Sequence, residues 1–309
     1  MHDVVIVGAG PAGLSAALVL GRCRRDVVVI DSGQPRNGRS KQANGFLTRD
    51  GTPPADLRRV ARSEVERYGV RIFAGEVTTA KRTSDGVFEL TTTLGSPSER
   101  AASEVRIMRA HKVLLATGMI DLVPQIDGFD TFYGTSVHHC PYCDGWEHKD
   151  QRLVAFGKGD RGVGLALALK GWSDRVTACT EGEPPSDKLR IAAKSAGVTI
   201  REERVRCLEG DAGRLARVVL SDGSSIDCDG LFFNTGQSQR SNLPKILGCH
   251  FKDDGGVKTS ERQCTVIPGL YLAGDADKDV QFIVVAAAEG ATAAVAINRE
   301  LQDERCGLQ

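Results

Sequence analysis

The strongest constraint on this chain is a pattern that occurs twice. Val4-Val5-Ile6-Val7 is a β-branched run, Gly8-Ala9-Gly10-Pro11-Ala12-Gly13 a glycine-rich turn, Leu14 to Leu20 an apolar helical stretch, and Val27 to Ile30 a second β-branched run. From Gln151 the order repeats, with Leu153 to Phe156, then Gly157-Lys158-Gly159-Asp160-Arg161-Gly162, then Val163 to Gly171, then Arg175 to Cys179. Strand, helix and strand in that order make a βαβ unit, which requires a parallel sheet and a right-handed crossover. Two such units about 150 residues apart are a duplicated nucleotide-binding plan, with a period far too long for a solenoid. The expected fold class is α/β.

A length of 309 residues allows two domains, each with its own core. The 40 Lys and Arg equal the 40 Asp and Glu, so no global field draws the chain to nucleic acid or to an anionic membrane. No apolar run is long enough to cross a bilayer. The first residues begin a strand rather than a signal peptide, and the chain reads as cytoplasmic. Of nine cysteines, Cys23, Cys179, Cys207, Cys228, Cys249, Cys264 and Cys306 are scattered and read as small hydrophobes or free thiols. Only Cys140 and Cys143 form a C-x-x-C pair.

Between the two units, Ser32 to Pro54 is a long polar loop, and such loops tend to be functional. Ala55 to Tyr68 reads as an amphipathic helix. Val70 to Phe73, Val87 to Thr93 and Ser103 to Met108 read as a β-meander, and Val113 to Ala116 as a separate buried strand ending in Thr117-Gly118. Ile226 to Asn234 is an apolar run ending in Thr235-Gly236. Leu270 to Ala273 leads to Gly274-Asp275, and Val280 to Leu301 is a closing Ala-rich helix.

The first turn fits G-x-G-x-x-G. Gly8 permits the tight turn, Gly10 lets a pyrophosphate approach the backbone, and Gly13 lets helix and strand pack closely. Free N–H groups at the helix start favour phosphate. Asp31 follows Gly8 by 23 residues, at the end of the second strand, where an acid accepts hydrogen bonds from ribose hydroxyls. Strand, turn, helix and acid in order make a specific signal, though one that does not choose between FAD and NAD. With Leu114-Leu115-Ala116-Thr117-Gly118 and Leu270-Tyr271-Leu272-Ala273-Gly274-Asp275, the chain resembles the two-dinucleotide-binding flavoproteins over most of its length.

That resemblance implies two Rossmann-like domains. Residues 1–116 and 238–309 form a discontinuous FAD-binding domain, and 117–237 an inserted NAD(P)-binding-like domain. It implies FAD contacts from Gly8, Gly10, Pro11, Ala12, Gly13, Asp31, Ser32, Val77, Ala116, Thr117, Gly118, Gly274 and Asp275. Arg36 is assigned to the AMP side or pyrophosphate and Asn44 to the flavin side, while Arg39 and Lys41 read equally as a solvated basic loop. Gln281 and Phe282 are placed near the isoalloxazine, where a helix start offers positive dipole to the reduced ring. Plain core packing is the other reading of that last helix.

His138-His139-Cys140-Pro141-Tyr142-Cys143-Asp144-Gly145 is the most informative stretch. C-x-x-C spacing lets two sulfurs reach disulfide distance, often in the first turn of a helix whose N-terminus lowers a thiol pKa. Zinc would need a second ligand pair. His138 and His139 are adjacent and point apart, and no second C-x-x-C follows, so no metal is expected. The stretch resembles the low-molecular-weight thioredoxin reductases, which carry C-x-x-C-D-G in the inserted domain. The resemblance implies that Cys143 faces the flavin, that Cys140 attacks the external disulfide, and that Asp144 protonates the leaving thiolate. Asp144 also reads as a cap or turn residue, and the two histidines as proton carriers or surface residues.

The second turn departs from the family. Thioredoxin reductases select NADPH with an H-R-R-x-x-x-R run, where this chain has Cys179-Thr180-Glu181-Gly182-Glu183-Pro184-Pro185. No arginine pair is present to clamp a 2′-phosphate, and two carboxylates repel one. Glu181 follows Gly157 by 24 residues, as an acid that binds a ribose 2′-OH does in NAD sites. NADH, NADPH, a ferredoxin-type donor and a dithiol all stay open as electron source. The reading is an FAD-dependent disulfide oxidoreductase, commonly homodimeric in its relatives, acting on a thioredoxin-like protein or a small disulfide or dithiol. The alternatives are a dithiol oxidase using O₂ and a non-catalytic flavin-binding redox sensor.

Overall fold

The computed structural model describes residues 1–95 and 104–308. Its elements, in chain order, are β1 (His2–Val7), α1 (Pro11–Arg22), β2 (Val27–Asp31), α2 (Pro54–Glu66), β3 (Arg71–Arg82), β4 (Phe88–Leu94), β5 (Glu104–Leu115), β6 (Met119–Asp121), α3 (Phe129–Phe132), β7 (Val137–His138), α4 (Pro141–Asp144), β8 (Leu153–Phe156), α5 (Asp160–Leu169), β9 (Val176–Cys179), α6 (Asp187–Ser195), β10 (Thr199–Arg201), β11 (Val205–Asp211), β12 (Arg214–Leu220), β13 (Ser225–Asp227), β14 (Gly230–Phe233), β15 (Gln237–Gln239), α7 (Leu243–Ile246), β16 (Leu270–Leu272) and α8 (Ile283–Cys306). No described helix is long and apolar enough to cross a membrane.

The chain divides into two compact units. The first is Met1–Gly38, Pro54–Ile120 and Ser238–Gln309, and the second is Arg39–Pro53 with Asp121–Gln237. The second unit therefore takes in Arg39–Pro53 of the early loop, a segment that the expected division at 1–116 includes in the first.

In the first unit β1 pairs in parallel with β2 and β5, β2 with β3, and β5 with β16. β3 and β5 then run on past this sheet and sandwich β4 in an antiparallel meander. This corrects the expectation of two separate strands at Ser103–Met108 and Val113–Ala116; Ser103 itself lies outside the described residues. The stretch between them, Arg109 to Lys112, carries three basic residues. It is strand because Lys112, only 4% exposed, meets Glu300 and Glu304 of α8. α1 and α8 cover one face with Leu14, Leu20, Ala293 and Ile297, while Phe88, Leu90 and Leu243 fill the other.

In the second unit the parallel sheet runs β10-β9-β8-β14-β7, beside a three-stranded sheet β11-β12-β13. β11 and β12 carry mixed polar sequence and escaped the linear reading. The expected single strand Ile226–Asn234 is two strands in two sheets. Asp229, at the break, accepts hydrogen bonds from Nε and Nη2 of Arg152 at 2.9 and 2.7 Å. This pairing holds its carboxyl down at about 2.

Candidate functional site

In the first unit the three glycine motifs meet. Gly8 has φ of +106°, and a Cβ there would lie 2.3 Å from the carbonyl oxygen of Ala116. A Cβ on Gly13 would lie 1.9 Å from the Gly8 carbonyl oxygen, whereas one on Gly10 would meet nothing within 4 Å. The turn thus packs through its outer glycines and keeps an open backbone face at the middle one. A Cβ on Gly274 would lie 3.0 Å from the Ala12 Cβ, and one on Gly290 of α8 would lie 2.0 Å from the Ala12 carbonyl oxygen. Pro11 opens α1, and Gly10, the N-cap, makes no side-chain capping bond. The first-turn N–H groups therefore remain available to an anion.

Asp31, at the end of β2, accepts a hydrogen bond from the Ala9 amide at 3.2 Å and pairs with Arg62 of α2. Ser32 follows it, half-buried. Arg36 reaches across to Asp275 at 2.7 Å and to Oε1 of Gln281 at 2.8 Å. Phe282 is the N-cap of α8. Thr117, next to the half-buried Gly118, has a buried hydroxyl oxygen with no hydrogen-bond partner among the described residues. An orphaned buried hydroxyl costs about 1–3 kcal/mol, and a bound polar ligand relieves that cost. The open Gly10 face, the uncapped helix and the Thr117 hydroxyl fit a dinucleotide such as FAD.

Two further residues of the expected cofactor set have partners within the protein. Val77 is 5% exposed in the core with Phe88 and Leu90, so its side chain serves packing. Asn44 belongs to the second unit, where Nδ2 donates to the Cys143 carbonyl at 2.9 Å. Linear reading missed Glu289, whose carboxylate accepts the Gly274 amide at 2.6 Å. Burial, reinforced by the nearby Asp277, Asp275 and Asp279, pushes its carboxyl up to about 7 against that hydrogen bond. The available signal was an acid set between the alanines of the helix's first half.

In the second unit Cys140 and Cys143 are joined in a disulfide, with Cα atoms 5.3 Å apart. Cys140 is the N-cap of α4, which is a single turn, so the helix dipole acting on the sulfurs is smaller than a full helix would supply. Gly145 follows because a Cβ would lie 2.4 Å from the Pro141 carbonyl and 2.9 Å from the Trp172 ring. Asp144 Oδ1 lies 3.4 Å from Nδ1 of His138, which is buried. His139 points away, its Nδ1 3.5 Å from the Tyr133 hydroxyl and its Nε2 3.9 Å from Asp121. The expectation that the two rings diverge is met. Among the described residues no cluster of His, Cys, Asp or Glu is arranged to hold a metal.

Around the second glycine turn the carboxylates gather. Glu183 sits over Gly159, with its Cβ 3.5 Å from where a Gly159 Cβ would be, and its carboxylate is 3.4 Å from Lys158 Nζ. Asp160 opens α5 and accepts the Ser186 amide at 2.6 Å. Glu181, expected at a ribose, accepts the Val205 amide at 2.8 Å.

Residues 2–290 match the family described as pyridine nucleotide-disulphide oxidoreductase. A probable thioredoxin reductase of Arthroderma benhamiae is 30% identical over 339 residues, covering 98% of this chain and 81% of the relative. Among solved structures, putative thioredoxin reductase TrxB from Bacillus anthracis superposes with a TM-score of 0.90 at 31% identity, covering 99% of this chain and all of that one. HlmI superposes with a TM-score of 0.92 at 36% identity, covering 99% and 94%. The chain belongs to the pyridine nucleotide-disulphide oxidoreductase family and is built as a thioredoxin reductase-like oxidoreductase.

Proposed function

We propose that this protein is an FAD-dependent disulfide oxidoreductase in which electrons pass between the flavin and the Cys140–Cys143 pair. The observation that carries this reading is the disulfide itself, set in a C-x-x-C-D-G turn of a chain whose other unit offers an open phosphate cradle at Gly10. The turn Gly8–Gly13 and the start of α1 would hold the pyrophosphate, Asp31 the ribose, and Thr117, Arg36, Asp275 and Gln281 the rest of FAD. Bound FAD supplies a two-electron carrier. Cys140 exchanges with the external sulfur, Cys143 with the flavin, and Asp144 supplies or takes the proton of the entering or leaving thiol. Asn44 steadies the Cys143 backbone. The reading includes a cytoplasmic homodimer and a thioredoxin-like protein or a small disulfide as partner.

A second reading, dithiol oxidation with O₂ as acceptor, is favoured by one observation. The Glu183 carboxylate over Gly159 puts negative charge where a pyridine nucleotide would bring its phosphates. In that reaction a dithiol loses two electrons and two protons to form a disulfide, and O₂ takes them up as H₂O₂.

Anaerobic flavin spectroscopy tests both. NADH, NADPH, reduced ferredoxin and a dithiol are added separately to the purified yellow protein and to its Cys143→Ser variant. Bleaching by the dithiol that persists in Cys143→Ser contradicts the disulfide route, whereas NADH, NADPH or ferredoxin is expected to bleach both proteins if it donates directly to the flavin. Bleaching by dithiol alone, reversed by air with formation of H₂O₂, selects the second reading. A colourless protein that takes up no flavin overturns both.

A further inference from the structure

Behind the redox turn lies a buried polar chain. His138 ends β7 and is 7% exposed; His148, in the 3₁₀ turn Trp146–His148, is 8% exposed. Their Nε2 atoms are 3.1 Å apart. On the far side His148 Nδ1 lies 2.9 Å from Oε1 of Gln151, and on the near side His138 Nδ1 lies 3.4 Å from Oδ1 of Asp144. The Phe232 ring packs on both imidazoles, with centroids 5.6 and 5.8 Å away. Gly230 leaves the room, since a Cβ there would sit 2.7 Å from His148 Nδ1.

The chain of donors has one direction. Gln151 Nε2 donates to the Glu147 carbonyl at 3.5 Å, which turns Oε1 toward His148. An amide oxygen only accepts, so His148 Nδ1 carries the hydrogen. Burial holds His148 below the usual imidazole range, which keeps it neutral and leaves Nε2 a bare lone pair. His138 Nε2 must then donate to it. The one ring position left open is His138 Nδ1, and it faces Asp144. The titratable groups acting on His148 are His138, Asp144 and Glu147; from β14, Gly230 and Phe232 bring none.

We propose that His138 and Asp144 hold one shared proton for exchange at Cys140–Cys143, and that His148 is the positioning residue that keeps His138 in its Nε2–H tautomer. This rests on the disulfide-exchange reading above. When the Cys140 thiolate attacks an external disulfide, a bond forms between Cys140 Sγ and one substrate sulfur, and the substrate S–S bond breaks. The electron pair goes to the other substrate sulfur, which takes the shared proton and leaves as a thiol. A carboxylate beside a neutral imidazole remains. The Cys143 thiolate then attacks Cys140 Sγ, restoring the protein disulfide and expelling the second thiolate, which is protonated by water. The cysteine pair is oxidised by two electrons and the external disulfide is reduced. In the reverse direction the entering thiol gives its proton to the Asp144–His138 pair.

The test uses the flavin-loaded wild type, His148→Leu and His148→Gln, and measures the rate of anaerobic flavin bleaching by dithiothreitol between about pH 6 and pH 9. His148→Leu is expected to slow bleaching by about 10²-fold and to change the pH profile, the lower range of a lost acid–base group. His148→Gln, whose amide oxygen accepts the same hydrogen, is expected to restore most of the rate. Imidazole ¹⁵N NMR of the wild type should find His148 as the neutral Nδ1–H tautomer throughout, and His138 Nδ1 responding to reduction of the disulfide. If His148→Leu does not fold, the wild-type tautomers decide. Wild-type rate and profile in His148→Leu, or His148 as the Nε2–H tautomer, overturn the relay alone. Bound flavin that no dithiol bleaches in the wild type overturns the disulfide-exchange reading, and the relay with it.

Discussion

Asn44 Nδ2 donates to the carbonyl oxygen of Cys143 at 2.9 Å, tying the early loop to the redox turn within the second unit. The bond is made to the backbone, so its role is to hold the turn and not to act on sulfur. Asn44→Ala is expected to loosen the turn by about 1 kcal/mol, the net worth of such a bond. Hydrogen exchange at the amides of Cys143 to Gly145 should rise roughly fivefold, with flavin content unchanged. Unchanged protection would show that the bond carries no local stability.

Gly290 brings α8 against α1 so closely that a Cβ would lie 2.0 Å from the Ala12 carbonyl. A backbone atom cannot swing aside as a side chain can. Gly290→Ala is therefore expected to destabilise the first unit by about 1–3 kcal/mol and to weaken flavin binding, because Ala12 belongs to the phosphate turn. Thermal unfolding and the flavin-to-protein absorbance ratio check this together; Gly164→Ala, with nothing within 4 Å, is the control.

Glu289 makes the first unit sensitive to pH. Its carboxyl is pushed up from the ordinary 4.5 to about 7 in the folded chain. The folded state thus holds the proton more tightly than the unfolded one, so the stabilisation is complete below the unfolded pKa and is lost as pH rises through about 7. Glu289→Gln keeps an acceptor for the Gly274 amide and removes the titration. The difference in melting temperature between variant and wild type should grow in favour of the variant as pH is raised from about 5 to about 8. A difference that does not change with pH would contradict the assignment.

Lys112 is buried against two partly exposed carboxylates, Glu300 and Glu304, and Glu300 also accepts from the Tyr271 hydroxyl. Removing the carboxylates strands a buried ammonium, whereas removing the lysine leaves acids that water can reach. Glu300→Ala with Glu304→Ala is expected to cost about 3 kcal/mol, and Lys112→Met clearly less. Urea denaturation of both variants orders them, and the reverse order would refute the argument.

The sequence by itself determined the two βαβ units, the α/β class, the turn at Gly8–Gly13 with Asp31 behind it, and the C-x-x-C pair at 140 and 143. Each of these is written in local chemistry, as a burial period of two or 3.6 residues, glycines where no Cβ fits, or two sulfurs three residues apart. Only the tertiary structure decided what depends on partners far along the chain. Lys112 makes β5 one strand because Glu300 and Glu304 come to meet it. Asp229 splits an apolar run because Arg152 binds it, and Asn44 joins Cys143 through a loop that belongs to the second unit. His138 is a buried partner of His148 because Gly230 and Phe232 make a slot for two rings. The identity of a polar residue states what it can bond, and the fold alone states what lies within 3 Å of it.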